Sequence, residues 1–270
     1  MPDIFDLFAR WWKRMLAVIL LSVLAVGIIT FLKPRKYLSV ATAIAASSYA
    51  SDKSNVFNEN IQALYSALGS PDDLDKILGT AALDTVYLSV TRQFNLYDHY
   101  KIKEATEEAI VNKASICLKK NTKVMKSEYG ELKVKVWDTD KNLAPQLANA
   151  VMDKLQTIHQ NLQSAGNEAT LKGLLIAKEK LEIQSDSASI SPERKDEFKN
   201  RILQYKKLIG EYQLIVDSKP PVLFVVEKAK AAIKPDQPRR LQIIIATAFL
   251  SFLFSILAAL VLERRKNQVS

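Results

Sequence analysis

The chain has 270 residues, 48% of them apolar and 25% charged, too apolar for a disordered segment and too long for a small cross-linked scaffold. Its one cysteine, Cys117, excludes an intrachain disulfide and a four-cysteine zinc site. Lysine and arginine outnumber aspartate and glutamate by 38 to 29, and there are only seven glycines, a balance that favours long helices over turn-dense β architecture.

The first predicted element is an uncharged run from Met15 to Leu32, 18 residues or roughly 27 Å as a helix, enough to cross a bilayer. Trp11 and Trp12 precede Lys13 and Arg14 at one end, and Lys33, Arg35 and Lys36 follow at the other, placing aromatic and basic groups where a span meets headgroups. A cleaved signal peptide is the competing reading, with Ala43-Ile44-Ala45 as a loose cleavage site. The core exceeds a signal peptide's apolar region, and basic residues separate it from that site, so a retained anchor fits better. A buried core helix fits less well because both flanks are basic.

From Lys36 to Ala46 the chain alternates in part and is rich in small and β-prone residues, which predicts a strand leaving the span directly. Asn58 to Leu68 and Leu74 to Leu78 read as short helices, the second opened by Pro71, and Leu83 to Phe94 as a further helix. Leu132, Val134 and Val136 alternate with Lys133 and Lys135, and a turn at Tyr129-Gly130 joins this run to a partner strand over Thr122 to Lys126, giving a hairpin.

The longest signal follows. Asp138, Thr139 and Asp140 offer N-cap oxygens, after which Leu147, Val151, Leu155, Ile158, Leu162, Ala165 and Ala169 recur at helical spacing. The pattern continues through Leu174, Ala177 and Leu181, so a helix is predicted from Leu143 to Gln184, 42 residues and on the order of 63 Å. The polar stretch Ser185 to Ser191 ends it. Ser191-Pro192-Glu193 opens another helix, striped by Phe198, Ile202, Tyr205, Ile209, Tyr212 and Val216. Two narrow stripes with a short polar link predict an antiparallel hairpin or coiled-coil arm over about 141–217. After Pro220-Pro221, Val222 to Val226 reads as a buried strand. A second uncharged run, Leu241 to Leu262, has 22 residues or roughly 33 Å and can also span a bilayer.

Two spans put both termini on one side. The flanking tails carry Arg10, Lys13, Arg14, Arg264, Arg265 and Lys266, which favours a cytoplasmic location for them and an external middle domain. Fourteen residues before Met15 and eight beyond Leu262 leave no room for a cytoplasmic kinase or cyclase. The expected organisation is therefore a tail (1–14), a span (15–32), an α/β domain with its helical arm (33–240), a second span (241–262) and a tail (263–270).

Chemistry is sparse. The glycines never take P-loop, dinucleotide or nucleophile-elbow spacing. His99 and His159 lack the partner of a helical metal site, and Cys117 sits between Ile116 and Leu118 as a small buried or half-buried residue. Asp72-Asp73 and Glu107-Glu108 read as helix-start or solvated charges. The lysine-rich stretch from Lys113 to Lys135 could contact an acidic polymer, but Lys133 and Lys135, alternating on a strand, better suit a wet face that discourages edge pairing, and the spread of basic residues argues against nucleic acid. No catalytic, cofactor or metal residue is assigned, and a non-catalytic protein is expected.

Several segments resemble one family. Trp11-Trp12-Lys13-Arg14 before a span, then Lys33-Pro34-Arg35-Lys36-Tyr37 running into a small-residue strand, is similar to the start of the Wzz-type polysaccharide chain-length determinants, also called polysaccharide co-polymerases. Leu132 to Asp138 followed by Leu143-Ala144 and Leu147-Ala148-Asn149-Ala150-Val151 resembles their strand and long helix. Val225-Val226-Glu227-Lys228-Ala229 and Lys234-Pro235-Asp236-Gln237-Pro238-Arg239-Arg240 resemble their proline-containing segment before the closing span, here with Pro235 and Pro238 alone. The resemblance covers nearly the whole chain. It implies a Gram-negative inner-membrane protein with both termini cytoplasmic and a periplasmic domain, a homo-oligomer that sets surface-polysaccharide length with a polymerase and a lipid-linked glycan, without cofactor or cytoplasmic kinase. Ile202, Tyr205, Ile209 and Tyr212 are the expected oligomer contacts, and Pro235 and Pro238 the expected length-setting positions. A structural adaptor of an export machine, or an activator of a separate kinase, is the competing function.

Overall fold

The computed structural model describes residues 4–46, 71–185 and 192–269. The helix expected over Asn58 to Leu68 and the cap residue Ser191 lie outside these residues. In chain order the elements are α1 (Ile4–Leu32), β1 (Tyr37–Ala45), α2 (Pro71–Ala81), α3 (Asp84–Gln93), α4 (Leu96–His99), α5 (Glu107–Lys120), β2 (Thr122–Lys126), β3 (Glu131–Asp138), α6 (Leu143–Ser185), α7 (Pro192–Ser218), β4 (Leu223–Glu227) and α8 (Arg240–Val269). The fold is α+β, mostly helical, with one small sheet, a pair of long helices and an apolar helix near each end of the chain.

Packing divides it into two units. The first comprises Met1–Leu38, Asp138–Lys141 and Ala232–Ser270. Within it α1 packs against α8. Arg10–Leu32, 23 residues with an 18-residue window of mean hydropathy 2.9, and Arg240–Glu263, 24 residues with an 18-residue window of mean hydropathy 2.6, are each long and apolar enough to cross a membrane. Both leave most of their apolar surface uncovered, as helices solvated by lipid do and core helices do not.

The second unit comprises Ser39–Trp137 and Asn142–Ala231. Its sheet has the order β2-β3-β1-β4, with β2 antiparallel to β3 and β4 antiparallel to β1. In the β2–β3 hairpin Thr122 lies opposite Val136 and Lys126 opposite Leu132, and the turn places Gly130 at φ 76°, where the absence of a Cβ matters. Burial alternates strictly along β3, with Leu132, Val134 and Val136 fully covered. In β1 the covered positions are Ser39, Ala41, Ala43 and Ala45, together with Thr42. Small side chains there let helices approach the sheet closely. The core joins this face to Leu74 and Ile77 of α2, Val86 and Val90 of α3, Leu118 of α5, and Leu147, Val151 and Leu155 of α6.

Four local expectations need correction. Val222 to Val226 is not a buried strand: Leu223 alone is covered in β4, while Phe224, Val225 and Val226 are exposed, because β4 is an edge of the sheet. Lys133 and Lys135 do not guard an edge, since β3 lies between β2 and β1. Asp138 accepts a hydrogen bond from the Asp140 N–H at 2.8 Å, closing a turn ahead of α6. The apolar stripe of α6 also breaks after Ile158, for Leu162 is 62% exposed and Ala165 and Ala169 are exposed as well.

Candidate functional site

The segment that enters the second apolar helix is held by main-chain bonds. The Lys36 N–H donates to the Gln237 carbonyl at 2.9 Å, and the Asp236 N–H donates to the Lys36 carbonyl at 2.9 Å, pairing the chain that leaves α1 with the chain that enters α8. Pro235 and Pro238 flank this two-residue contact. Pro235 is exposed and Pro238 half-buried after a cis Gln237–Pro238 peptide. Neither ring can donate a backbone hydrogen bond, so pairing is confined to the residues between them. The Arg239 guanidinium reaches Asp236 at 3.2 Å, and that of Arg240 lies 4.4 Å from the Phe31 ring centre.

At the other end of the apolar pair, Glu263 is 6% exposed. It accepts from the Arg10 guanidinium at 3.1 Å and from the Trp11 indole N–H at 2.9 Å. A carboxylate covered this fully is costly unless paired, and here α1 supplies both a charge and a neutral donor.

In the second unit, amide side chains of α6 grip the returning chain. Gln160 Nε2 donates to the Lys219 carbonyl at 2.6 Å, and Gln156 Oε1 accepts from the Leu223 N–H at 2.5 Å. Asn149 takes both backbone groups of Ala229: its Oδ1 accepts the N–H at 2.9 Å and its Nδ2 donates to the carbonyl at 3.4 Å. Ser39 Oγ donates to the Lys230 carbonyl at 2.9 Å. These side chains satisfy backbone groups on a stretch where strand pairing is short. Sequence reasoning missed them, although positions 149, 156 and 160 share one helix face beside the apolar stripe.

The four expected oligomer contacts lie together on α7. Ile202, Tyr205, Ile209 and Tyr212 are all half-buried, on the helix that pairs with α6. Beyond the core cluster, Leu171 of α6 and Ile215 of α7 are covered. Leu203 and Leu214 of α7 are 68% and 54% exposed.

Several ionisable groups have local partners. His159 on α6 is within 2.9 Å of Thr80 Oγ1, and burial lowers its pKa. His99 stacks at a tilt on Tyr100. Glu107 and Glu108 occupy the first turn of α5, where Thr106 Oγ1 accepts the Ala109 N–H at 3.3 Å. Lys113 pairs with Glu104, Lys119 with Asp84 and Lys126 with Asp75. Glu131 is lowered by hydrogen bonds from Lys133 and Ser127, and Tyr87 is raised by burial and by Asp84. Cys117 is half-buried and free. Among the described residues, no group of three or more His, Cys, Asp or Glu side chains is placed to hold a metal ion.

The class this defines is an α+β unit with a paired-helix insertion on a chain carrying two potential spans. No family model matches the chain, and none of the curated proteins does. Among solved structures it is similar to a full-length bacterial polysaccharide co-polymerase, at 12% identity over 99% of this chain and 98% of that one, with a TM-score of 0.41. It is also similar to a fragment of WzzB, a polysaccharide co-polymerase from Salmonella Typhimurium, at 13% identity over 75% of this chain and all of the fragment, with a TM-score of 0.35.

Proposed function

We propose that this chain is a polysaccharide co-polymerase. In this reading it is a non-catalytic, two-pass protein of a Gram-negative inner membrane, with residues 15–32 and 241–262 as spans, residues 33–240 in the periplasm, and both termini cytoplasmic. It sets the modal length of a surface polysaccharide, as a homo-oligomer acting with a polymerase on a lipid-linked glycan. One observation carries the reading: the order of elements, in which an apolar helix, a strand, a long helix pair, a returning strand and a second apolar helix follow one another, with the entering and leaving chains hydrogen-bonded at Lys36 and Gln237. The sequence motifs at Trp11 to Tyr37, Leu132 to Val151 and Val225 to Arg240 support the same assignment.

In the oligomer, the half-exposed edges of Ile202, Tyr205, Ile209 and Tyr212 meet a neighbouring subunit. The test is a gel ladder of surface polysaccharide from cells with and without this chain, the polymerase left intact. Loss of the preferred length with synthesis retained is expected, and a Pro235→Ala, Pro238→Ala double variant shifts the length. An unchanged ladder overturns length control for that polysaccharide and favours the adaptor role.

A further inference from the structure

The two apolar helices do not close against each other along their whole length. A cleft of about 260 Å³ runs between them, lined by Trp11, Arg14 and Met15 of α1 and by Phe254, Ala258 and Leu262 of α8. It exists because Ser255, Ala258 and Ala259 are small where they face α1. Water collapses an apolar gap in a soluble core, whereas lipid chains are as apolar as the helices and supply no such pressure. A gap of this kind between spans is filled by whatever the bilayer presents.

Arg14 decides what that is. Among the described residues, Arg10 is neutralised by Glu263, while Arg14 has the Trp11 ring 4.6 Å from its guanidinium and no carboxylate. It sits beside Met15, the first residue of the uncharged run, and the cleft reaches Leu262, the last residue of the other. On the membrane-spanning reading, a guanidinium with no carboxylate partner among the described residues therefore stands where phosphates lie, lining an apolar slot at acyl-chain depth. A helix filling the slot with apolar side chains alone would leave that charge unmatched. A phospholipid matches both parts, its phosphate on Arg14 and one acyl chain in the cleft.

We propose that this cleft binds an anionic glycerophospholipid from the leaflet that meets the Arg10–Arg14 end of the first span. The site rests on the membrane-spanning reading of α1 and α8 and is independent of the role in polysaccharide length.

The full chain, reconstituted in phosphatidylcholine bilayers, tests it through quenching by lipids with brominated acyl chains. With Trp12→Phe and Trp137→Phe, emission comes from Trp11 in the cleft wall. Brominated phosphatidylglycerol should be enriched around it roughly five-fold over brominated phosphatidylcholine, the value of one interfacial cation. Arg14→Gln should abolish the enrichment, and Lys13→Gln should leave it. Ala258→Leu, which fills the slot and keeps Arg14, should also abolish it. Equal quenching by the two lipids, or a preference that survives Arg14→Gln or Ala258→Leu, overturns the site. Trp11 shielded from both lipids means that a helix fills the cleft, and also overturns it. A parallel chain with Trp11→Phe and Trp137→Phe reports from Trp12, which is 53% exposed. If neither lipid quenches Trp12, the membrane-spanning reading itself fails, and the site with it.

Discussion

At the scale of single residues, the most consequential side chain in the second unit is Asn149. It imitates a peptide group, receiving one hydrogen bond from Ala229 and returning another. Ala229 is 8% exposed, so removing the amide leaves a covered N–H without its partner. Asn149→Ala should cost about 1–3 kcal/mol in chemical unfolding. Gln146→Ala should change little, because Gln146 is exposed and bonds only to its own turn at Asn142. His159 gives a second residue-level expectation. Its folded pKa lies below the ordinary 6.5 because burial disfavours the cation, so the unfolded chain binds the proton more readily. Stability is full above about pH 6.5 and falls as pH drops from there toward the folded pKa. His159→Gln, able to keep the Thr80 contact without titrating, should flatten that part of a stability-against-pH curve. Neither role was legible in the sequence. A polar residue on a helix reads as solvated unless one knows which chain returns across it, and the contacts of Asn149 with residue 229 and of His159 with residue 80 depend on tertiary placement.

At the scale of elements, period is what made the fold readable. The long helix was expected over Leu143 to Gln184 and spans Leu143–Ser185, since leucines and alanines at three- and four-residue spacing persist for many turns. The β2–β3 hairpin was legible for the same reason, with strict alternation across a glycine turn. Failure came where one helix serves two neighbours. Through Leu155, α6 buries its stripe in the core of the sheet unit. Farther along it meets α7, and the half-buried positions come to include Gln163, Ser164, Asn167, Leu174, Ala177 and Leu181, with Leu171 covered. The new partner lies in another direction, so the seam rotates around the helix and leaves Leu162 outside. Continuous spacing in the sequence conceals that change. Helix α5, Glu107–Lys120, was missed because it buries Val111, Ala114, Ser115 and Leu118. Small residues within a lysine-rich stretch give little hydropathy signal.

At the scale of the whole molecule, the paired helices are an insertion in the sheet unit. Gln160 and Lys219 are tied by a side-chain hydrogen bond at the point where the core-facing part of α6 ends and the return to β4 begins. Replacing residues 161–218 with a short glycine-serine loop should therefore leave a sheet unit that unfolds cooperatively, because its buried core lies outside that stretch. Circular dichroism with a denaturant titration checks this, and a non-cooperative transition would make the helix pair part of the folding unit. The same chain should lose subunit crosslinking if the α7 face carries assembly. A last consequence comes from the amide grip on residues 219–229. Gln160, Gln156 and Asn149 hold carbonyls and N–H groups, which every residue except proline presents alike. Side-chain identity at Phe224, Val225, Val226 and Lys228 is correspondingly released from the task of fixing the strand. Those exposed positions can drift under mutation while the path of the chain stays put, leaving them open to be shaped by whatever touches that edge.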